Sequence, residues 1–400
     1  MGGYRVAVFI FIKHQFIFLM LSSNYFIATT REFKLNCSLP MKSSPLLIFF
    51  TVLIVLSSKL AACTGILLKA QDNSIVNGRT VEFGIPLDLG LAVVPKNIEF
   101  VGMTPNGGGL VYKSKYAAMG VYCFNNKIIM DGMNEAGLVA AAFYFPGYAG
   151  YTKINSSNQK SALSPVDFTN WILTQFSSLD EVKEGVKSVV IAPTVLSGWG
   201  NAPPPMHYIV YDKSGKSLVI EPIDGKLVVS DNPLGSFTNS PTFDWHLTNL
   251  NNYINLNVYN APSMKLNGFQ LSPFGQGSGL HGLPGDFTPP SRFVRATIFS
   301  TSAVLPPTSK NLYSQAFHIL NQFDIPYGSV RQKGLEEADY ERTEFTSVKD
   351  PNALRYYYKS YSDQSVKFIE LGQFDLGAKT IKSMVVSGSQ VNSNVSSSMK

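Results

Sequence analysis

From Cys63 onward the chain is a succession of short apolar runs separated by turn residues, and this spacing limits the folds open to it more than any other feature. The runs are CTGILLKA, SIVNGR after the turn residues Asp72 and Asn73, LGLAVVP, GLVYK, AAMGVYCF and GLVAAAFYF. Segments of this length that alternate or are wholly apolar predict β-strands. Two helices are predicted next, one across Ser164 to Phe176 and one opened by Ser178 with Glu181 three residues on, the spacing of a capping box. Strands return at MHYIVYD, SLVIEP and KLVVS. Thr288 followed by Pro289 predicts a helix start, with threonine as cap and proline in the first turn, and Asn311 to Phe323 reads as another helix. ALRYYYKSY and VKFIEL are the last predicted strands. Runs of strands broken by helical blocks favour an α+β sandwich over a doubly wound sheet. No internal repeat is visible, and 400 residues, 45% of them apolar, suffice for one large domain with a sizeable core.

Upstream of this region lies the apolar run PLLIFFTVLIVL from Pro45 to Leu56, with Lys42 before it and the small residues Ala61 and Ala62 after it. That is the layout of a secretory signal, and at 12 residues the run is short for a membrane span. Met41 opens it, so residues 1–40 read as an upstream extension and 41–62 as a signal peptide, which makes the mature protein periplasmic or secreted. The competing reading is an amino-terminal anchor over Val6 to Leu21, a stretch interrupted by Lys13 and His14. The end of the chain, SGSQVNSNVSSSMK, is poor in apolar residues, so the domain is expected over 63–382 and a disordered tail over 383–400.

The leader also carries most of the charge imbalance. Of the net charge of +6, residues 1–62 hold Arg5, Lys13, Arg31, Lys34, Lys42 and Lys59 against Glu32 alone. What remains is 27 positive and 26 negative residues, with no basic block to neutralise phosphates or an anionic membrane. Nucleic acid and stable membrane insertion after processing are therefore not expected. Three cysteines, Cys37, Cys63 and Cys123, cannot form a disulfide framework, and Cys37 leaves with the leader. Cys123, within the apolar GVYCF, reads as a buried structural residue.

Cys63 directly follows the small residues that end the signal. Cleavage before it would leave one residue bearing both a thiol and a free α-amine. An α-amine titrates near 7.7 to 8.0, a range suited to accepting a thiol proton at neutral pH, so such a residue can serve as its own nucleophile and base without a histidine. Leu60, Ala61, Ala62 and Cys63 also fit a lipoprotein signal, in which the thiol is lipidated and the chain anchored at a membrane surface.

Four segments, CTGILLKAQDNSIVNGRTVEFG, GMNEAGLVAAAFYFPG, SFTNSPTFDWHLTNLNNY and FGQGSGLHGLPGDFTPPSRFVRA, resemble in order and spacing the choloylglycine hydrolase family of amino-terminal nucleophile (Ntn) hydrolases. That family includes conjugated bile salt hydrolases and penicillin V acylases, and the likeness covers roughly Cys63 to Leu371. It implies a four-layer αββα sandwich of two mainly antiparallel sheets, hydrolysis of a small-molecule linear amide without a cofactor, and a homo-oligomer such as a tetramer. Carried over by position, Cys63 would be the nucleophile and Arg79 the cation favouring its thiolate. Glu82 stands where the family mostly has an aspartate that holds the α-amine, so its reach is longer by one methylene. Asn239 would donate its amide to the oxyanion, and Arg292 would complete the polar network. Tyr144 stands where bile salt hydrolases generally have asparagine and penicillin V acylases tyrosine. Its backbone N–H would be the second oxyanion donor and its ring would shape the pocket, which leans towards aromatic acyl groups such as phenoxyacetyl.

Taken singly, each residue has a plainer reading. Arg79 after Asn77 and Gly78 could be a solvated turn residue, Asn239 before Ser240 and Pro241 a turn brace, Arg292 an exposed helical arginine and Glu82 a surface carboxylate. Asp244, Trp245 and His246 read as a helix start with a packed aromatic. Gly277, Gly279 and Gly282 match GxGxxG without the strand, helix and downstream acid that dinucleotide binding requires. No HExxH, CxxC or GxSxG occurs, so metal and serine-triad chemistry lack sequence support. Two rival functions stay open: an acyl-homoserine lactone acylase, and a catalytically dead, lipid-anchored surface lipoprotein.

Overall fold

The computed structural model describes residues 62–399 apart from positions 86, 200–201 and 333–339, and describes the backbone alone at Ala61 and in three segments nearer the amino terminus. Those segments, Val6–Ile12, Gln15–Ser22 and Tyr25–Ile27, form an antiparallel three-stranded sheet within a unit spanning residues 1–57. The stretch weighed above as an amino-terminal anchor is thus a β-hairpin, and among the described residues no helix is long and apolar enough to cross a membrane. The span 41–60, most of the expected signal peptide, lies outside the described residues.

The second unit is built on two antiparallel sheets, whose strands we number together. They are β1 (Ala61–Lys69), β2 (Ile75–Phe83), β3 (Gly90–Val94), β4 (Ala118–Tyr122), β5 (Asp131–Asn134), β6 (Val139–Tyr144), β7 (Met206–Tyr211), β8 (Ser217–Ile223), β9 (Lys226–Asp231), β10 (Arg342–Asp350), β11 (Arg355–Ser360), β12 (Asp363–Glu370) and β13 (Lys382–Val385). One sheet runs β12-β11-β10-β2-β1, the other β9-β8-β7-β6-β5-β4-β3-β13. The helices are α1 (Asp167–Gln175), α2 (Leu179–Gly185), α3 (Phe243–Asn249), α4 (Pro289–Ser302) and α5 (Leu312–Leu320).

Side-chain alternation sorts the core into three layers. Along β6, every residue of VAAAFY is buried, because Val139, Ala141 and Phe143 enter the layer between the sheets while Ala140, Ala142 and Tyr144 pack on the opposite face. That opposite face is covered by Phe168 and Ile172 of α1 and Val182 of α2. Beyond the other sheet, Ile66, Val76 and Val348 pack against Ala296 of α4 and Ala316 and Leu320 of α5. Helices outside, sheets inside: the α+β prediction and its αββα elaboration both describe this architecture. A strand covered on both faces reads as a continuous apolar run, which is why β6 was visible in the sequence.

Local signals were met with small changes. Ser178 caps α2 by accepting from Glu181 N at 3.3 Å, but the Glu181 carboxylate reaches back to Ser177 N at 2.7 Å, one residue before the cap. Thr288 occupies the cap position of α4 without its hydroxyl accepting from a helix N–H; that hydroxyl bonds the Asp286 carboxylate and the Ser291 hydroxyl instead. Strands β5 (DGMN) and β10 (RTEFTSVKD) escape the periodicity reading, because their buried positions include Asp131, Asn134, Thr346, Ser347 and Lys349. The tail is corrected too. Residues 382–385 are the edge strand β13, paired with β3 from Lys382 opposite Val93 to Val385 opposite Gly90. That pairing is made by backbone groups with all four side chains exposed, so composition carried no sign of it.

Candidate active site

The site forms where the outer edge of β1 meets the segment after β9. Gly65 and Phe237 exchange backbone hydrogen bonds, Gly65 N to Phe237 O at 2.7 Å and Phe237 N to Gly65 O at 3.1 Å. In an antiparallel bridge, two steps back on one strand face two steps forward on the other, so Cys63 and Asn239 come opposite each other. Cys63 N donates to Asn239 Oδ1 at 2.8 Å, across 176 residues of sequence. The bridge position is tight: a Cβ on Gly65 would approach Phe143 Cζ to 3.0 Å, so a larger residue would require the ring to shift.

Arg79 lies on β2, two residues from Val81, which pairs with Cys63, and so shares the face of Cys63 between the sheets. Its Nη2 donates to Cys63 Sγ at 2.9 Å and its Nη1 to Ala142 O at 2.7 Å, while the guanidinium rests 4.1 Å from the Phe143 ring centroid. Asp131 is buried beside this group, bound by Lys349 Nζ at 2.7 Å, Ser347 Oγ at 2.8 Å and Tyr356 Oη. Burial would raise the Asp131 carboxyl, but Lys349 and Arg79 hold it below its ordinary value.

Arg292 stands on the first turn of α4 and is fully buried. Its Nη2 donates to Asn239 Oδ1 at 2.7 Å, its Nη1 to Thr64 Oγ1 at 2.9 Å and to the Cys63 carbonyl, and its Nε to Phe287 O at 2.8 Å. A guanidinium can only donate, so the amide oxygen of Asn239 must be the atom facing it. The amide nitrogen then points the other way, donating to Tyr144 O at 2.7 Å and keeping a second hydrogen free.

Burial is the main influence on the Cys63 thiol and raises it; Arg79, Arg292 and a hydrogen bond from the Tyr144 backbone oppose that rise, while Glu82 adds to it. With Ala62 attached, the thiol form is therefore favoured. Glu82 is wholly buried, and burial pushes it up to about 8 against the pull of Arg292 and of the Thr80 hydroxyl. Burial raises the nearby Glu341 carboxyl as well, opposed by Arg292 and by a hydrogen bond from the Ala62 backbone.

All six predicted residues are thus drawn together: burial overturns the exposed readings of Arg79, Glu82 and Arg292, and the Asn239 side chain bonds Cys63 N, Tyr144 O and Arg292 rather than its own turn. Cys123 lines the same cavity as Cys63, with its thiol pushed up to about 12 by burial. Sequence reasoning missed Asp131, Lys349 and Glu341, which sit on or beside the strands it did not see. His246, read as structural, donates to the Asn239 carbonyl at 2.8 Å. Among the described residues no three His, Cys, Asp or Glu side chains gather where one ion could be held.

Two cavities meet at this cluster. One, of about 50 Å³, is lined by Cys63, Phe83, Leu87, Met130, Tyr144 and Trp199 and is almost wholly apolar. The other, of about 610 Å³, is bordered by Asn239, Ser240, Thr288, Arg292, Arg331 and Glu341. A thiol under a guanidinium, with a fixed amide at the junction of an apolar and a polar recess, suits attack on a carbonyl carbon.

Residues 63–386 match the family described as linear amide C–N hydrolases, choloylglycine hydrolase family, which makes this chain an amidohydrolase acting on linear amides. It is 35% identical over 321 residues to the bile salt hydrolase/transferase of Clostridium perfringens, covering 80% of this chain and 95% of that one. It is 25% identical over 326 residues to the penicillin V acylase of Pectobacterium atrosepticum, covering 76% and 79% of the two chains. The crystal structure of a cysteine-to-alanine mutant of the Clostridium perfringens conjugated bile acid hydrolase superposes with a TM-score of 0.74 at 33% identity, over 83% of this chain and 99% of that one. The chain belongs to the choloylglycine hydrolase family, and its sandwich is the Ntn hydrolase fold.

Proposed function

We propose that the protein is exported, cleaved before Cys63, and hydrolyses conjugated bile salts or penicillin V-type acyl amides with Cys63 as an amino-terminal nucleophile. The observation that carries the reading is the hold on both atoms the chemistry needs: Sγ by Arg79 at 2.9 Å and the backbone nitrogen by Asn239 Oδ1 at 2.8 Å. Once Ala62 is gone, that nitrogen is a primary amine still facing an acceptor. It takes the thiol proton, directly or through a water, and the thiolate attacks the amide carbonyl carbon. The oxyanion accepts from the free Asn239 Nδ2–H and from the Tyr144 N–H; as the C–N bond breaks, the α-ammonium returns its proton to the leaving nitrogen. Water, deprotonated by the same amine, then hydrolyses the thioester.

The aromatic lining, with Trp199 5.1 Å from Phe83 and 5.8 Å from Tyr144 centroid to centroid, supports placing the acyl group on the apolar side, where the cavity of about 50 Å³ must widen to admit a ring. The polar recess is suited to the departing amine. Lipidation is the poorer reading because the Cys63 sulfur points into the buried layer between the sheets, where a diacylglycerol has no room. Mass spectrometry of the exported protein tests the proposal, with Cys63 expected as the free first residue. Cys63→Ala is expected to abolish turnover across a panel of glycocholate, taurocholate, penicillin V and long-chain acyl-homoserine lactones. A mature chain beginning elsewhere, or a lipid on Cys63, overturns it.

A further inference from the structure

Two buried histidines, neither used in the chemistry above, grip the chain on either side of the Asn239 Cα. His207, on β7, has Nε2 at 3.0 Å from the Thr238 carbonyl. His246, on α3, has Nε2 at 2.8 Å from the Asn239 carbonyl. These carbonyls belong to the two peptide planes flanking Asn239, so fixing both restricts its φ and ψ together and thereby the direction of its Cα–Cβ bond. Both rings are locked in orientation. His207 stacks on Phe145 at 4.1 Å and 8° and lies 4.3 Å from Phe237; His246 stacks on Phe293 at 4.7 Å and 20°.

Proton placement is set by geometry at His246, whereas His207 faces an acceptor from each ring nitrogen and holds both bonds only as the imidazolium, which burial opposes and Glu221 favours. His246 Nδ1 is buried without a partner, so a proton there would be an unsatisfied donor and would turn the Nε2 lone pair towards a carbonyl oxygen. The ring is therefore the Nε2–H tautomer. His207 Nδ1 faces Glu221 Oε1 at 3.2 Å. The two oxygens of Glu221 also accept from Phe243 N at 3.1 and 3.2 Å, at the first residue of α3. One carboxylate thus orients the first histidine directly and, through the start of α3, steadies the second.

We propose that His207 and His246 are positioning residues, a clamp that aims the Asn239 side chain at the carbonyl oxygen of the bound amide by holding the peptide planes on both sides of it. The inference rests on the proposed oxyanion role of Asn239, and a mutant cycle separates the two. The measurement is kcat and KM of the mature enzyme, from Cys63 onward, on penicillin V and glycocholate. Asn239→Ala is expected to lower kcat by roughly 10²–10³-fold. His246→Phe keeps a stacking ring without the donor and is expected to lower kcat by roughly 10- to 100-fold with KM little changed. His246→Gln, whose amide N–H can reach the same carbonyl, is expected to recover most of that loss. In the Asn239→Ala background, His246→Phe is expected to cost nothing further. If His246→Phe does not fold, His246→Met serves in its place. An unchanged kcat in a folded donor-less variant, or the same loss with and without Asn239, overturns the clamp. Full turnover in Asn239→Ala instead overturns the oxyanion assignment on which it stands.

Discussion

The Arg79 guanidinium divides its two terminal nitrogens between Cys63 Sγ at 2.9 Å and the Ala142 carbonyl at 2.7 Å, so one planar group ties the nucleophile's strand environment to the facing sheet. Lysine has the charge and three donors but lacks the rigid planar fork that aims one nitrogen at each acceptor. Arg79→Lys is expected to slow both turnover and iodoacetamide alkylation of Cys63 at pH 7 by roughly 10- to 100-fold, matching about 1.5–3 kcal/mol for one charge-assisted hydrogen bond. Equal alkylation rates in the two proteins would refute a role for Arg79 in thiolate stabilisation.

Glu82 makes stability depend on pH while Ala62 remains attached. Its folded value, pushed up to about 8 by burial, lies above its ordinary value of 4.5, so the folded chain binds the extra proton. Stability from this group is fully present below pH 4.5 and is lost as pH rises through about 8. Glu82→Gln, mimicking the protonated acid, is expected to raise Tm relative to the parent more at pH 9 than at pH 5 in a chain that retains Ala62. Parallel Tm curves across that range would show that Glu82 is not buried as described.

Asp131 and Lys349 pair at 2.7 Å between the sheets, both almost wholly buried. Removing one partner strands the other's charge. Asp131→Asn is expected to cost about 3–5 kcal/mol in denaturant unfolding, with part regained by Asp131→Asn together with Lys349→Met. A loss below about 1 kcal/mol, the level of a surface pair, would be incompatible with this burial.

Tyr144 offers a backbone donor and a pocket-forming ring, and substitution separates the two. Tyr144→Asn is expected to preserve turnover of some amide while lowering the ratio of kcat/KM for penicillin V over glycocholate by roughly tenfold, the scale of a modest pocket change. Loss of all activity would mean that the side chain itself takes part in the chemistry.

Legibility from sequence followed whether a residue's environment is set by its chain neighbours. β6 was readable because VAAAFY is covered on both faces and shows it in composition. β10 was not, since Ser347 and Lys349 are buried only because Asp131, more than 200 residues away in the chain, is there to bond them. The candidate site split the same way. Its six members could be named from position within motifs, yet their burial ran against the plainer reading that polar residues at turns and first helical turns are exposed.

The sequence by itself singled out Cys63 as the candidate nucleophile and marked most of the apolar runs that form the two sheets. Only the tertiary structure decided that Asn239 faces Cys63 through the Gly65–Phe237 bridge, that Arg292 turns its amide, and that two histidines hold its backbone. Apolar periodicity records which side of an element is dry, a local property. The hydrogen-bond partners of a buried polar group are contributed by distant segments, and their identity exists only once the chain has folded.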